Sequence, residues 1–223
     1  MNNKYEFVAG DEKVITPGRT VKRIRALAAI AVFGVMPGQL GGYVESEKCL
    51  AADGDAWVSG DARVSGDARV YGDAWVSGDA RVYGDARVSG NAWVYGDAQV
   101  SGDAQVYGDA RVSGDALVYG NALVYGNAWV YGDAQVSGNA QVSGNAWVSG
   151  DASLVWFSKV GRDNGALTVF TGKDGELLAT RGCFIGTIDE FLKKSEEVHD
   201  DRTHLEYRLL IEVAHSRLTR SAT

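Results

Sequence analysis

The central part of the chain alternates apolar and polar positions with a period of six residues. From Gly54 onward the sequence repeats Gly-Asp/Asn-Ala-x-Val-Ser/Tyr, where x is a variable residue. Sixteen copies keep this pattern as far as Ser149, and a seventeenth, residues 150–155, departs from it at its end. Because Ala and Val alternate with polar or variable residues, each copy is predicted to form a short strand with one buried face.

Each repeat also contains a tight corner. Gly followed by Asp or Asn tolerates the positive φ angles that such a corner needs. Because a strand of about four residues and a two-residue corner keep turning the chain in one direction, three repeats would close a triangular coil. Successive coils would stack as parallel strands about 4.8 Å apart. The seventeen repeats therefore predict an all-β solenoid, a parallel β-helix of about six coils and about 27 Å in length.

The variable position tests this period independently. All the tryptophans of the repeat are separated by multiples of eighteen residues: Trp57, Trp75, Trp93, Trp129 and Trp147. With three repeats to a coil, they form one column along the rod, which only Arg111 interrupts. The other two faces match each other, with Arg, Arg, Gln, Leu and Gln in successive coils. The pattern predicts that the indole rings point outward on one face.

The repeat resembles that of left-handed β-helix proteins with hexapeptide repeats, a family best known for acyltransferases. The left-handed sense is implied by this resemblance and is an exception to the usual right-handed crossover. Both ends of the chain are similar to the end modules of hexapeptide-repeat proteins of phages and prophages. The similar segments are Phe33-Gly34, Leu40 to Tyr43 and Glu47 to Leu50 before the coils, and Gly182 to Phe191 after them. The resemblance covers nearly the whole chain and implies a phage or prophage protein.

Both ends of the chain are predicted to cap the solenoid, since a bare end would expose an open sheet edge. The predicted units are an N-terminal capping module, the β-helix and a C-terminal module, at residues 1–53, 54–155 and 156–223. The N-terminal module is expected to be a small α/β cap. Its apolar segments Ala29–Val32 and Val35–Met36 are expected to be buried or covered by a partner.

The C-terminal module is predicted to combine a β-hairpin with two helices, in the order ββαα. Lys173-Asp174-Gly175 is a hairpin turn signal between two strand-like segments. Two pairs of residues have the spacing of capping boxes, Thr187 with Glu190 and Thr203 with Glu206. These pairs are expected to begin the two helices.

Candidate catalytic residues are missing from the repeat. The acyltransferases that the chain resembles use a histidine base on the solenoid and a loop that leaves a coil, and β-helical carbonic anhydrases need three zinc-binding histidines. The three histidines here, His199, His204 and His215, follow the repeat, and no coil has an inserted loop. We therefore expect a protein that is not an enzyme and has neither cofactor nor metal. An acyltransferase-like protein is the last of three interpretations.

The negative charge of the chain lies in the repeat. The net charge is −7 for the whole chain and also for the repeat, where twelve Asp at the corners outnumber five Arg on the faces. This charge disfavours direct binding of nucleic acid. It leaves open a second interpretation, an acidic DNA mimic that inhibits a nucleic-acid-binding protein. The match is poor, since the rod would carry one net charge per about 4 Å against about one per 1.7 Å in duplex DNA.

The cysteines and the one long apolar run bear on localisation. Cys49 and Cys183 lie far apart and outside any CxxC motif, which predicts free thiols in a reducing compartment. The run Ala26–Met36 is shorter than the roughly 20 residues of a membrane span, and no signal-peptide cleavage site follows it. We expect a protein of the host bacterial cytoplasm that does not contact the membrane.

The tryptophan column is the clearest candidate for a functional surface. Exposed apolar strips mark interaction sites, and aromatic residues dominate interface energetics. The predicted protein-binding residues are Trp57, Trp75, Trp93, Tyr95, Trp129, Tyr131 and Trp147. A ladder of indoles that stack on one another and need no partner is the alternative. The leading interpretation is a non-catalytic phage or prophage scaffold that binds a protein, either a second copy in a homo-oligomer or a host protein whose defence role it counters.

Overall fold

The structure, a computed structural model, describes residues 3–150 and 153–219. Sixteen strands of two or three residues follow one another from Trp57 to Ser149. Each of the first thirteen pairs in parallel with the strand one coil further on, as Trp75 does with Trp93. The strands stack into three sheets along one rod, which confirms the predicted parallel β-solenoid of about six coils.

The N-terminal cap is a β-hairpin followed by one short strand. Its strands are β1 (Tyr5–Thr16), β2 (Arg19–Ala26) and β3 (Leu40–Val44), and two single-turn 3-10 helices span Ala31–Phe33 and Glu47–Cys49. The described part of the cap contains no α-helix, so the expected α/β cap is corrected to a β cap with two 3-10 turns. The reason is local, since the apolar residues between β2 and β3 form a tight loop closed by pairing of Ile30 with Val35.

The three faces of the rod differ in the residue that begins each strand. The tryptophan face consists of β4 (Trp57–Val58), β7 (Trp75–Val76), β10 (Trp93–Val94), β13 (Arg111–Val112), β16 (Trp129–Tyr131) and β19 (Trp147–Ser149). The hairpin face, which β3, β2 and β1 continue at one end, consists of β5 (Arg63–Val64), β8 (Arg81–Val82), β11 (Gln99–Val100), β14 (Leu117–Val118) and β17 (Gln135–Val136). The third face consists of β6 (Arg69–Val70), β9 (Arg87–Val88), β12 (Gln105–Val106), β15 (Leu123–Val124) and β18 (Gln141–Val142).

One alanine and one valine from each repeat fill the interior of the rod. These side chains are fully buried from Ala56 to Val148, as the alternation predicts. The glycine that begins each corner has a positive φ, between 62° and 76°. At Gly96 an added Cβ would lie 3.0 Å from the backbone nitrogen of Gly114 in the next coil. The corner therefore requires glycine both for its φ angle and for the close approach of neighbouring coils.

The C-terminal module closes the other end of the rod with a four-stranded antiparallel sheet and two helices. Its elements are β20 (Leu154–Val160), β21 (Gly165–Thr171), β22 (Leu177–Arg181), β23 (Phe184–Thr187), α1 (Ile188–Val198) and α2 (Asp201–Leu218). The hairpin turn at Lys173-Asp174-Gly175 is confirmed. The ββαα order is corrected to ββββαα, because β20 pairs with β21 on one side of the hairpin and the segment expected only to lead into the helices pairs with β22 on the other, as β23.

The two predicted capping boxes have different outcomes. Thr187 accepts a hydrogen bond from the Glu190 backbone N–H at 3.3 Å, and Glu190 accepts one from the Thr187 backbone N–H at 2.9 Å, so the first box is confirmed. The Thr203/Glu206 box is wrong. Helix α2 begins three residues earlier, because the Asp200 carboxylate accepts from the Thr203 backbone N–H at 2.8 Å.

Two further expectations bear on the cysteines and on membranes. Both cysteines are free, with Cys49 buried and Cys183 exposed, which confirms the prediction of free thiols. Neither described helix has the length and apolar character that crossing a membrane requires.

Glu45 joins the N-terminal hairpin to the first coils. Its carboxylate accepts hydrogen bonds from Arg19 Nε at 3.1 Å and Nη2 at 2.5 Å, and from the Gly66 backbone N–H at 2.6 Å. The hydrogen bond from Arg19 holds the pKa of Glu45 below its usual value of 4.5. A carboxylate with a lowered pKa stabilises the folded state while it is ionised. This contribution is therefore present above about pH 4.5 and is lost as the pH falls below that value.

We expect Glu45→Gln to reduce the loss of stability on acidification. The effect should be about 1 kcal/mol or less, because the ion pair is partly exposed to solvent. Denaturant unfolding at neutral pH and below about pH 4 measures it, as the difference in unfolding free energy between the two conditions. An equal difference in the wild type and the variant would contradict the role given to Glu45.

Candidate functional site

The cap buries the first member of the tryptophan column. Trp57 is fully buried, and an added Cβ at Gly41 of the cap would lie 2.7 Å from its ring and 2.6 Å from Ile24. The prediction that Trp57 belongs to an exposed binding strip is therefore wrong. Its position explains this, because β3 and the hairpin take the place of the coil that would otherwise precede it. No acceptor among the described residues is hydrogen bonded to its indole nitrogen.

The next two tryptophans form a partly exposed pair. The rings of Trp75 and Trp93 lie 5.4 Å apart at 61°, and Phe33 of the cap lies 4.6 Å from Trp75. The Trp75 Nε1 donates a hydrogen bond to Ser59 Oγ at 2.7 Å, which fixes the indole on the coil before it. Trp93 is 38% exposed. This end of the column is thus anchored to the cap and opens to solvent at its third coil.

The last two tryptophans form a second pair. Trp129 and Trp147 lie 5.2 Å apart and perpendicular to each other. Tyr131 lies 5.3 Å from Trp129 and 6.3 Å from Trp147, so it belongs to the same cluster. Tyr95, also predicted to take part, is half-buried and makes no ring contact with any part of the chain that the structure describes.

Two cations complete the column. The Arg111 guanidinium lies 5.5 Å from the ring of Trp93 and 6.0 Å from that of Trp129, so the residue that interrupts the tryptophans bridges the two pairs. Lys173 of the β21–β22 turn lies 5.8 Å from Trp147. These distances are those of cation–π interactions. Arg111 has no ion-pair partner within residues 3–150 and 153–219.

We call this continuous surface the aromatic ladder. Its members run from one cap to the other: Phe33, Trp75, Trp93, Arg111, Trp129, Tyr131, Trp147 and Lys173. Sequence reasoning missed Phe33 and Lys173, because no periodicity links the caps to a face of the rod. It treated Arg111 as a gap, although the position of Arg111 in the column was a signal that it lies between two indoles.

A shallow hollow of about 290 Å³ opens beside the second half of the ladder. Its lining includes four residues of the ladder, Arg111, Trp129, Trp147 and Lys173. Corner residues of the same coils complete it: Asp109, Asn127 and Asn145. The Asp109 carboxylate accepts a hydrogen bond from Asn91 Nδ2 at 2.9 Å. The hollow thus combines indole surface, two cations, one carboxylate and two amide groups, a composition suited to binding.

The loop between β2 and β3 extends the apolar surface at the first end of the ladder. Ile30 and Val35 are buried, in agreement with the expected burial of this segment, whereas Val32 and Met36 are 67% and 63% exposed. Phe33 of the same loop packs on Trp75. The apolar loop is therefore partly core and partly solvent-facing surface next to the ladder.

The histidines lie in the C-terminal module, away from the ladder. His204 Nδ1 lies 3.3 Å from Ser195 Oγ, and the ring of His199 packs 5.5 Å from that of Tyr207. Within the described residues, no three His, Cys, Asp or Glu side chains come together as metal ligands do.

The repeats match one known family of β-solenoids. Seven stretches match the model described as the YdcK beta-solenoid repeat, at residues 56–72, 62–78, 80–96, 104–119, 116–132, 134–150 and 140–154. No curated protein matches the chain. Together with the stacked parallel coils, the seven matches identify this chain as a β-solenoid repeat protein.

Proposed function

We propose that this protein is a non-catalytic scaffold whose aromatic ladder binds an extended segment of a partner protein. The observation that carries the proposal is the continuity of the ladder, in which ring and cation contacts follow one another from Phe33 to Lys173. Partly exposed indoles in a row are the residues that dominate interface energetics. Self-stacking alone would not require cations at the centre and at the end of the row.

The dimensions of the ladder favour a linear segment over a globular surface. Trp75 and Trp147 are four coils apart, which corresponds to about 19 Å. An extended chain rises about 3.3 Å per residue, so about six residues would cover this length. A stable interface between two globular proteins buries about 800 Å² on each partner. A strip one short strand wide offers less than this, so a homo-oligomer would need contacts beyond the ladder.

The charges of the ladder specify the chemistry of the segment. Arg111 lies between two indoles and has no ion-pair partner among the described residues. We therefore expect the segment to carry an acidic residue near its centre, with apolar side chains on both sides to pack on Trp93 and Trp129. The amides of Asn127 and Asn145 line the adjoining hollow and are placed to hydrogen bond to an extended backbone.

The biological setting proposed here rests on the resemblance of the end modules to those of phage and prophage proteins. It favours a protein that acts in the bacterial cytoplasm, either to counter a host defence or as part of an assembly. The partner in the first case is a host protein, and in the second another protein of the assembly. Both settings require recognition of protein, which is the property assigned to the ladder.

Affinity capture from bacterial lysate tests this function with a matched pair of variants. Trp93→Gln/Trp129→Gln removes one indole on each side of Arg111, and Gln already occupies the equivalent position at Gln99 and Gln105 of the other faces. Leu117→Gln/Leu123→Gln makes the same kind of change on the hairpin and third faces. We expect a partner that the wild type and the leucine variant both capture, and that the tryptophan variant loses by tenfold or more.

The result that would contradict the proposal is equal capture by all three proteins. A partner lost from both variants would also contradict it, because the loss would then follow reduced apolar surface in general and not the ladder. Circular dichroism of each variant establishes that its fold is retained.

One observation favours the second candidate, an acidic inhibitor that mimics DNA. One corner column is entirely Asp in the described coils: Asp61, Asp79, Asp97, Asp115 and Asp133. The columns of the other two corners mix Asp with Asn. This column carries one carboxylate per coil, or one per about 4.8 Å. Loss of the captured partner at high salt, with no effect of the tryptophan variant, would favour this candidate over the ladder.

A further inference from the structure

A second hollow, on the hairpin face, brings two arginines together. Arg63 and Arg81 are partners in the parallel pairing of β5 and β8, so they lie one coil apart, about 4.8 Å along the rod. Both line a hollow of about 220 Å³. The tip of the β1–β2 hairpin supplies Ile15 and Arg19 to one side of it, and the coils supply Tyr83 and Gln99.

The charges around this hollow are not balanced within the protein. Four cations of the cap are neutralised by carboxylates, in the pairs Lys13–Asp61, Arg19–Glu45, Arg23–Asp11 and Arg25–Glu6. The guanidinium groups of Arg63 and Arg81, by contrast, make neither a salt bridge nor a hydrogen bond with any described residue. Asp61, the corner residue of the same repeat as Arg63, is held by Lys13 at 2.6 Å. Two guanidinium groups without a salt bridge therefore line one hollow in a chain of net charge −7.

The arrangement of donors indicates which anion would fit. A carboxylate presents two oxygens, which one guanidinium can satisfy, as Arg19 does for Glu45. A terminal phosphate presents three oxygens and carries nearly two negative charges at neutral pH, so it can accept hydrogen bonds from two guanidinium forks at once. We infer that the hollow binds the phosphate group of a small phosphorylated molecule, which would lie between Arg63 and Arg81.

The rest of the hollow fits the organic part of such a molecule. The ring of Tyr83 and the side chain of Ile15 provide apolar surface, and the Gln99 amide, whose oxygen accepts a hydrogen bond from the Tyr83 hydroxyl at 3.5 Å, provides an N–H donor. The adjacent corner column continues as Asp79 and Asp97 in the next two coils. A long polyanion along this face would meet every carboxylate of this column, whereas a single phosphate group at the arginines would lie only in the coils of Asp61, which is paired with Lys13, and Asp79. The site thus selects a small phosphate ester over nucleic acid.

The protein contains its own control for this site. Arg69 and Arg87 of the third face occupy the same repeat positions one strand further on and pair with each other in the same register. They do not line the hollow at the hairpin tip. Two double variants, Arg63→Gln/Arg81→Gln and Arg69→Gln/Arg87→Gln, each remove two positive charges. Both place Gln at a position where Gln stands in later coils of the same face, at Gln99 and Gln105.

Isothermal titration calorimetry of the full-length protein with inorganic phosphate, adenosine monophosphate and adenosine tests the inference. We expect saturable binding of phosphate and of the monophosphate, and none of adenosine. Because charge-assisted hydrogen bonds are the strong ones, Arg63→Gln/Arg81→Gln should weaken binding about tenfold to a hundredfold. Arg69→Gln/Arg87→Gln should change it less than about twofold, since it alters only the distant charge.

Three results would overturn the inference. They are the absence of saturable binding at millimolar phosphate or monophosphate, equal weakening in both double variants, and binding of adenosine as tight as that of its monophosphate. Should the hollow variant fail to fold, the single change Arg81→Gln at an exposed position gives the same comparison with Arg87→Gln. The test does not involve the aromatic ladder, so its outcome is independent of the proposed function.

Discussion

Replacing Trp57 with alanine is expected to lower the free energy of unfolding by about 3–5 kcal/mol, the usual cost of removing a buried tryptophan. Its ring is fully buried between the first coil and the cap, where it packs next to Ile24 and the backbone of Gly41. Alanine would leave a cavity beneath the cap that the tightly hydrogen-bonded coils are not free to fill. Denaturant unfolding followed by circular dichroism measures the change.

Two other variants separate this effect from a general effect of indole loss. Trp93→Ala changes the same repeat position two coils further on, where the ring is 38% exposed, and should cost about 1–2 kcal/mol. Trp57→Phe keeps a ring in the site and removes the indole N–H that has no described acceptor. It should therefore cost less than half as much as Trp57→Ala. Equal losses at Trp57 and Trp93 would contradict the placement of Trp57 under the cap.

Gly96→Ala is expected to destabilise the rod by about 2–4 kcal/mol, as the sum of two effects. The residue has a φ of 72°, in the left-handed region that costs an L-amino acid about 1–2 kcal/mol. The new Cβ would also lie 3.0 Å from the nitrogen and 3.3 Å from the oxygen of Gly114 in the next coil. Both coils are held by parallel pairing and have little freedom to separate.

Gly132→Ala is the matched control for the second effect. Gly132 has a φ of 62°, but an added Cβ there would lie 3.7 Å from its nearest neighbour, the nitrogen of Gly150. This variant should cost only the conformational part, about 1–2 kcal/mol. Comparison of the two unfolding free energies isolates the contribution of coil stacking. A larger loss at Gly132 than at Gly96 would contradict the packing described for the corners.

The fold was predictable because each repeat carries its full structural signal. Ala and Val mark the buried positions, Gly marks the corner, and the eighteen-residue spacing of Trp75 and Trp93 marks the length of one coil. The caps lack such redundancy. The segment Phe184–Thr187 forms strand β23 only because it pairs with β22. Asp200 displaces Thr203 as the cap of α2 because its carboxylate, one turn earlier, accepts the backbone N–H of Thr203 itself.

The candidate site was only partly predictable, for a related reason. Periodicity placed Trp75, Trp93, Trp129 and Trp147 on one face, and the structure brings them together in two pairs. Periodicity carries no information about what covers the first coil, so it could not show that Trp57 is buried. The contacts of Phe33 and Lys173 arise from the folding of the caps over the ends of the rod. The left-handed sense of the coil also lies outside what spacing can predict and rests on the resemblance.

Selection of binders from a random peptide library displayed on phage determines directly which peptide sequences the aromatic ladder binds. The wild-type protein is the target, and each enriched peptide is then measured against the Trp93→Gln/Trp129→Gln and Leu117→Gln/Leu123→Gln variants. We expect peptides with an Asp or Glu flanked by apolar residues within about six positions. They should bind the leucine variant normally and the tryptophan variant at least tenfold more weakly. Enriched peptides that bind all three proteins equally, or that carry no acidic residue, would contradict this expectation.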